Sequence, residues 1–303
     1  VPHHPEIPIG RFAPSPTGEL HFGSLVAALA SWLSVKHAGG RWLLRIEDID
    51  PPRQVAGSAT SILAALATHG FSADGAVLYQ SQRGGAYAAA LQRLRDEGHA
   101  FPCWCSRTDL EASGVLHRDG HCVSPAIAGR EPAWRLHAPD LDIEFEDLLQ
   151  GPQHQNVRTA VGDFVLRRAD GLWNYQLACV VDDAFQGITE VVRGYDLMES
   201  TPRQILLQQL LDLSTPAYAH IPLAIDANGC KLSKSHAAPV LDMRSPLANL
   251  ARALGFLGQP VPDAPTAAGM LRRAAGRFDP SPLRGIANSE PAAKPMPTDP
   301  ASR

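Results

Sequence analysis

The 303-residue sequence has no apolar run of membrane-spanning length, and its start, Val1-Pro2-His3-His4-Pro5, lacks the architecture of a signal peptide. A soluble cytoplasmic protein is expected. An excess of basic charge is also missing: 27 Lys and Arg stand against 31 Asp and Glu, a formal net charge of -4. Any nucleic acid must therefore be met by a local basic surface rather than by global attraction. The cysteines number five, an odd count without an export signal, which argues against a disulfide framework. No internal repeat occurs. What is present is a chain long enough for one large or two modest domains, 45% of it apolar.

The chain is organised around Arg11-Phe12-Ala13-Pro14-Ser15-Pro16-Thr17-Gly18-Glu19-Leu20-His21-Phe22-Gly23-Ser24. A strand-like approach, Ile7 to Ala13, runs through a Pro/Ser/Gly turn into a helical segment, about Phe22 to His37, that Gly39-Gly40 stops. Backbone N–H groups at a helix start favour phosphate, and glycine permits close approach, so the stretch reads as a nucleotide site. Arg41 to Ile46 reads as a second strand, and helical patterns return at Ala56 to His69 and Gly85 to Glu97. Such alternation argues for a parallel sheet covered on both faces.

From Phe101 to about Gln155 the texture shifts to cysteine, histidine and proline, which reads as an insertion. Phe164 to Arg168, Ala178 to Val181 and Ile188 to Gly194 then resume strand character, and Leu197 to Leu211 is helical. The expected division is 1–100 and 163–257 for two halves of one α/β domain, 101–162 for the insertion and 258–303 for a short C-terminal part. Ala267 to Gly276 can form a helix, and disorder is expected from Asn288 to Arg303.

Cys103, Cys105 and Cys122 place three thiols within twenty residues, with His117 and His121 just before the third. Tetrahedral zinc wants four N/S ligands. The expected set is Cys103, Cys105, His117 and Cys122, with His121 in reserve; three buried free cysteines are the alternative.

With Lys231-Leu232-Ser233-Lys234-Ser235 far downstream, the chain resembles the class I aminoacyl-tRNA synthetases, whose HIGH-type and KMSKS-type signatures stand here as His21 to Ser24 and Lys231 to Ser235. The resemblance implies a Rossmann-like class I synthetase catalytic domain with an inserted zinc-binding, tRNA-contacting subdomain. It also implies adenylate chemistry on ATP with Mg²⁺: His21, Lys231 and Lys234 as catalytic residues, and Pro14, Gly18, His21, Gly23, Ser24 and Lys234 around ATP. The zinc is then structural, one per chain. Where the usual motif has its second histidine, this chain has Ser24.

Arg11 to Gly18, Leu43 to Asp50 and the element Val192-Arg193-Gly194 with Ser200-Thr201-Pro202-Arg203-Gln204 resemble the glutamyl branch. They imply a glutamate pocket of Arg11, Phe12, Ala13, Pro14, Ser15, Glu47, Tyr175 and Arg193. Arginine can hold a carboxylate bidentately, while Glu47 can take the ammonium. Fewer than seventy residues follow Ser235, too few for the helical anticodon-binding region of the full-length enzymes. That shortness, with Leu20 to Leu25, Glu47 to Arg53 and Asp119 to Cys122, resembles the truncated branch of the family that modifies queuosine. The resemblance then implies a ligase that activates L-glutamate with ATP, without tRNA, and transfers it to the cyclopentenediol of queuosine in the anticodon arm of tRNA(Asp). It is expected to act as a monomer. A truncated glutamyl-tRNA synthetase charging the acceptor end and a non-catalytic tRNA-binding protein are the alternatives.

Overall fold

Strand β1 (Ile9–Phe12) feeds a turn and then helix α1 (Phe22–His37), which packs back on β1 because residue 10 is glycine: a Cβ there would meet Val35 Cγ2 at 2.4 Å. The structure is a computed structural model describing residues 7–113, 116–225 and 241–289. The left-handed Gly39, φ 70°, ends α1 as its sequence suggests, and β2 (Arg41–Ile46) returns parallel to β1. Helix α2 (Ser58–Thr68), β3 (Leu78–Tyr79) and α3 (Gly84–Asp96) complete the first half.

The next segment holds β4 (Ala100–Cys103), α4 (Arg107–Ser113), β5 (Ala133–Leu136), β6 (Asp142–Asp147), β7 (Gly151–Asn156) and the single turn α5 (Val157–Ala160). After it come β8 (Val165–Arg167), α6 (Tyr175–Phe185), β9 (Glu190–Gly194), α7 (Thr201–Leu210), β10 (Ala217–Ile221) and β11 (Leu223–Ala224). Helices α8 (Pro246–Phe256) and α9 (Ala267–Ala275) and strand β12 (Asn288–Ser289) close the described chain.

Seven strands form one sheet in the order β3-β2-β1-β9-β10-β6-β7. All its pairs are parallel except β6 with β7. Side-chain alternation sends Trp42, Leu44, Val192 and Ala219 into a core with α1, α2, α8 and α9, while Leu43, Val191 and Tyr218 enter a second core with α3, α6 and α7. Both faces are thus covered, as a parallel sheet requires. Chain order reverses between β1 and β9, and a crevice opens there at the carboxyl ends of the strands.

Three elements differ from their sequence reading. Ala178 to Val181, read as a strand, lie inside helix α6. Leu177, Ala178, Cys179, Val180, Asp182 and Asp183 are all buried, and a short apolar run of this length does not by itself tell a buried helix turn from a strand. The hairpin β6–β7, within the segment read as an insertion, is the edge of the central sheet, while β4, β5 and β8 make a separate antiparallel sheet. Asn288 and Ser289, expected to be disordered, pair with Leu223 and Ala224. Cys230, Lys231 and Lys234 lie outside the described residues. Among the described residues no helix is long and apolar enough to cross a membrane.

Candidate active site and metal centre

Two adjoining cavities fill the crevice. The first, of ≈ 630 Å³, is lined at its inner end by Arg11, Phe12, Ala13, Ser15, Glu47, Tyr175 and Arg193. Arg11 reaches it from β1, Glu47 from just beyond β2, Tyr175 from the first turn of α6 and Arg193 from β9. Asn174 caps α6 by accepting from Gln176 N at 2.9 Å, which fixes where Tyr175 leaves the helix.

Arg11 is buried, and its Nε donates to Asp183 Oδ1 at 3.1 Å. Its two terminal nitrogens bond no described residue, so they form an open fork at the cavity wall. Asp183 also accepts from Arg45 Nη1 at 2.6 Å, and Arg45, wholly buried, reaches Glu47 at 3.4 Å. Burial alone would push the Asp183 carboxyl up, but Arg11 and Arg45 overcome it and hold the group down at about 2. Burial does raise Glu47 above the usual carboxylate range, although Arg45 and Arg11 pull it the other way. A cationic ligand group beside Glu47 would relieve that cost.

This pairing sets an acid limb of stability. Asp183 has a folded pKa depressed below the roughly 3.9 of an unfolded chain, so its contribution is complete above that value and disappears as pH falls from there through about 2. The expected loss is about 2–3 kcal/mol. Urea melts between pH 5 and pH 2 should show it, and Asp183→Asn should flatten that part of the curve.

Arg193 is committed differently. Its Nε donates to His220 Nε2 at 3.0 Å, Nη1 to Gln204 Oε1 at 2.8 Å, and Nη2 to Thr201 Oγ1 at 2.7 Å and Leu197 O at 3.3 Å. Of five N–H groups, one has no partner among the described residues.

The second cavity, of ≈ 770 Å³, is lined by Phe12, Ala13, Pro14, Ser15, His21, Gly23 and Ser24, with Leu223 and Ala224 on the far side. His21 is the N-cap of α1: its Nδ1 accepts from Ser24 N at 3.3 Å, and its Nε2 lies 3.0 Å from Ser24 Oγ. Ser24 therefore braces the imidazole at the helix mouth, where amide dipoles attract anions. Gly18 lines neither cavity; its φ of 139° suits glycine alone, and its N–H donates to Ser58 Oγ at 2.9 Å.

Away from the crevice, Cys103 and Cys105 at the end of β4 meet His117 and Cys122, their ligand atoms all within 4.8 Å of one another. Cys103 Sγ and His117 Nε2 lie 3.4 Å apart, against about 3.6 Å for two ligands of a tetrahedral zinc with ordinary bond lengths. The donor set thus fits a metal. His117 Nδ1 is held by Asp163 Oδ2 at 2.9 Å, which presents Nε2 to the cluster, while Arg135 Nε donates to Cys103 Sγ at 3.2 Å. Exposed His121 is not in the group.

The family described as tRNA synthetases class I (E and Q), catalytic domain, matches residues 9–245. The chain is 53% identical to the glutamyl-Q tRNA(Asp) synthetase of Xanthomonas campestris over 94% of its own length and 96% of that protein's. It is 49% identical to the protein of that name from Geobacter sulfurreducens, over 93% and 95%. The chain belongs to this family. The solved glutamate tRNA ligase of Elizabethkingia meningosepticum, in complex with its amino acid, superposes with a TM-score of 0.79 at 26% identity, covering 93% of this chain and 67% of that one. A glutamate-tRNA synthetase from Elizabethkingia anophelis gives 0.80 at 26%, over 95% and 68%.

Within this class I synthetase fold, four groups that support the site escaped the sequence reading: Asp183 and Arg45 behind Arg11 and Glu47, and Asp147 and His220 behind Arg193. The run Val180-Val181-Asp182-Asp183 carried a signal, two acids in an apolar stretch. The strand reading stopped at Val181, so the two acids fell outside it, whereas both are buried in α6.

Proposed function

We propose that the chain activates L-glutamate with ATP, without tRNA, and transfers it to the cyclopentenediol of queuosine at the wobble position of tRNA(Asp). The observation that carries the first half is the open fork of Arg11 opposite the buried carboxylate of Glu47, in one cavity that adjoins the mouth of α1. A carboxylate at one end and an ammonium at the other is the charge pattern of glutamate. The second half is supported by near-complete coverage of the glutamyl-Q tRNA(Asp) synthetases, against two thirds of the full glutamate tRNA ligases.

In activation, an oxygen of the glutamate α-carboxylate attacks the α-phosphorus of ATP, the bond to the β,γ-phosphates breaks, and pyrophosphate leaves. The α-carboxylate must be free to attack, so Arg11 and the single free N–H of Arg193 hold the side-chain carboxylate, while Glu47 and Tyr175 take the ammonium end. ATP lies along Pro14, Gly23 and Ser24, and His21 faces the phosphates; Gly18 shapes the turn without touching either cavity. Alignment and charge stabilisation do most of the work. Lys231 and Lys234, of which Lys234 is the second lysine of the family motif, neutralise the leaving pyrophosphate, and Mg²⁺ bound with ATP supplies further charge compensation. In transfer, a diol oxygen of queuosine attacks the activated carbonyl carbon, loses its proton, and AMP leaves. Zinc on Cys103, Cys105, His117 and Cys122 is structural, since the cluster lines neither cavity.

Labelled glutamate and ATP incubated with tRNA(Asp) that has or lacks queuosine tests the whole reading. Label should enter only the queuosine-containing tRNA. Equal labelling of unmodified tRNA(Asp), or labelling of tRNA(Glu), would overturn the assigned acceptor, and absence of glutamate-dependent ATP–pyrophosphate exchange would overturn the activation step.

A further inference from the structure

Behind Arg193, on the side away from the cavity, lies a buried relay that the reaction as written does not use. His220 is the register partner of Arg193 across β10 and β9 and is 0% exposed; Asp147, at the end of β6, is 1% exposed. The Asp147 Oδ2 to His220 Nδ1 distance is 2.6 Å, and His220 Nε2 faces the Nε of Arg193 at 3.0 Å.

The polarity of this chain is determined at both ends. Arg193 Nε can only donate, so His220 Nε2 must accept and its proton must sit on Nδ1. Asp147 Oδ1 is already filled by the N–H groups of Leu149 (3.0 Å), Gln150 (2.9 Å) and His220 itself (3.2 Å). Only Oδ2 is left for the imidazole, and an ionised carboxylate oxygen there selects the Nδ1–H tautomer. His220 is thus kept neutral and one-sided, consistent with burial and the neighbouring Arg193 cation lowering its pKa, although Asp147 acts the other way.

We propose that Asp147 and His220 are positioning residues for amino-acid recognition: together they aim Arg193 so that its one uncommitted N–H meets the side-chain carboxylate of glutamate. The inference rests on the glutamate reading of the first cavity. Arg193 has four bonds to four different groups, and three of them come from the element that follows it: Leu197 O, Thr201 Oγ1 and Gln204 Oε1. His220 is the fourth, and among the described residues it is the hydrogen-bond partner that ties the guanidinium to β10 and, through Asp147, to the β6–β7 turn, beside the Tyr218 ring, whose centroid lies 5.3 Å from Arg193 Cζ.

The discriminating variant is Asp147→Asn. Shape and the three backbone bonds to Oδ1, two from the turn and one from His220 N, survive, but the position facing the imidazole becomes an NH2 group. The imidazole must then accept at Nδ1 and carry its proton on Nε2, where it points at another donor, Arg193 Nε–H, and among the described residues finds an acceptor only in Thr201 Oγ1 at 3.2 Å, which already accepts from Arg193 Nη2. In ATP–pyrophosphate exchange the glutamate KM should rise roughly five- to a hundredfold, the range for a buried donor left facing a donor, with the ATP KM unchanged and little loss of Tm. Imidazole ¹⁵N shifts, assigned with a His220 variant, should show the proton moving from Nδ1 to Nε2. Adding His220→Gln to Asp147→Asn should bring the glutamate KM back toward wild type, because an amide oxygen accepts whatever its neighbour carries. Should the asparagine variant not fold, His220→Gln alone should hold the glutamate KM well below that of His220→Leu. An unchanged glutamate KM, or equal rises for glutamate and ATP with a lowered Tm, overturns the positioning role. No exchange in the wild type would instead refute the glutamate reading, so the two failures are distinguishable.

Discussion

Arg11→Ala is expected to remove glutamate activation almost completely while the protein stays folded. Removing one partner of a buried, hydrogen-bonded charge pair costs about 3–5 kcal/mol, so kcat/KM for glutamate should fall by about two to four orders of magnitude. The argument turns on which nitrogens are free. Among the described residues Arg11 spends only Nε, on Asp183, and offers both terminal nitrogens to the cavity. Arg193 has one N–H left, so Arg193→Ala should raise the glutamate requirement too, and far more than the ATP requirement. Arg11→Lys should rescue little, because an ammonium cannot bond Asp183 and a carboxylate in the same forked geometry.

Folding should survive since Asp183 retains Arg45 at 2.6 Å. Arg45→Ala is the contrasting case: Arg45 is fully buried between Asp183 and Glu47, and its loss leaves the Glu47 carboxylate buried without its Arg45 partner, so that variant should lose stability along with activity. The two variants are compared by thermal melts and ATP–pyrophosphate exchange. If Arg11→Ala retained exchange at ordinary glutamate concentrations, the fork would not be the carboxylate site.

How much of this was legible depends on how local the cause is. The strand, turn and helix around His21 could be read because each signal lies within a few residues: apolar approach, Pro/Gly turn, helix stop at Gly39. The cavity residues were read from a family resemblance rather than from spacing, and the structure brings Arg11, Glu47, Tyr175 and Arg193 around one space. The supporting groups could not be read that way. Asp147 and His220 lie 73 residues apart and meet because β6 joins β10 in the sheet. Nothing in a single sequence marks that pairing, and β6 sat in a stretch whose cysteines and prolines masked the apolar alternation of Ile143 and Phe145. The choice between His117 and His121 was likewise open to spacing. In the structure Asp163, 46 residues on, turns His117 Nε2 toward Cys103, and His121 lies outside that cluster.

Metal removal should produce the other large effect, and a selective one. Purified protein is expected to hold about one zinc per chain, and a structural zinc of this ligand type is worth about 10–16 kcal/mol to the segment that folds around it. That segment joins Cys103 and Cys105 after β4 to His117 and Cys122 in the loop before β5. Its other ties among the described residues are mostly polar: Asp163 receives His117, Gly120 N and Ala138 N and donates its own N–H to His117 O, Arg135 links Cys103 Sγ to Asp163 O, Arg118 donates to Arg158 O and Thr159 O, and Arg158 holds Asp119. Without the metal the thiols keep their protons and lose the bonds that draw them together, so the metal-free loop should open, exposing three cysteines to a thiol reagent and changing the environment of Trp104, whose indole bonds Arg130 O. The two cores on the central sheet contain none of the four ligands, and the cavity residues Arg11, Glu47, Tyr175 and Arg193 hang from strands and a helix of that sheet. Glutamate-dependent exchange should therefore persist within a few-fold after chelation. Transfer to tRNA(Asp) should be lost, because the segment that opens is the candidate grip on the anticodon arm. Asp163→Ala should move in the same direction, with metal affinity lowered about ten- to a hundredfold by the loss of the carboxylate behind His117. Exchange and transfer falling in parallel would show that the cluster supports the catalytic sheet instead, and a stable, fully active metal-free protein would leave the four residues as buried cysteines beside a histidine.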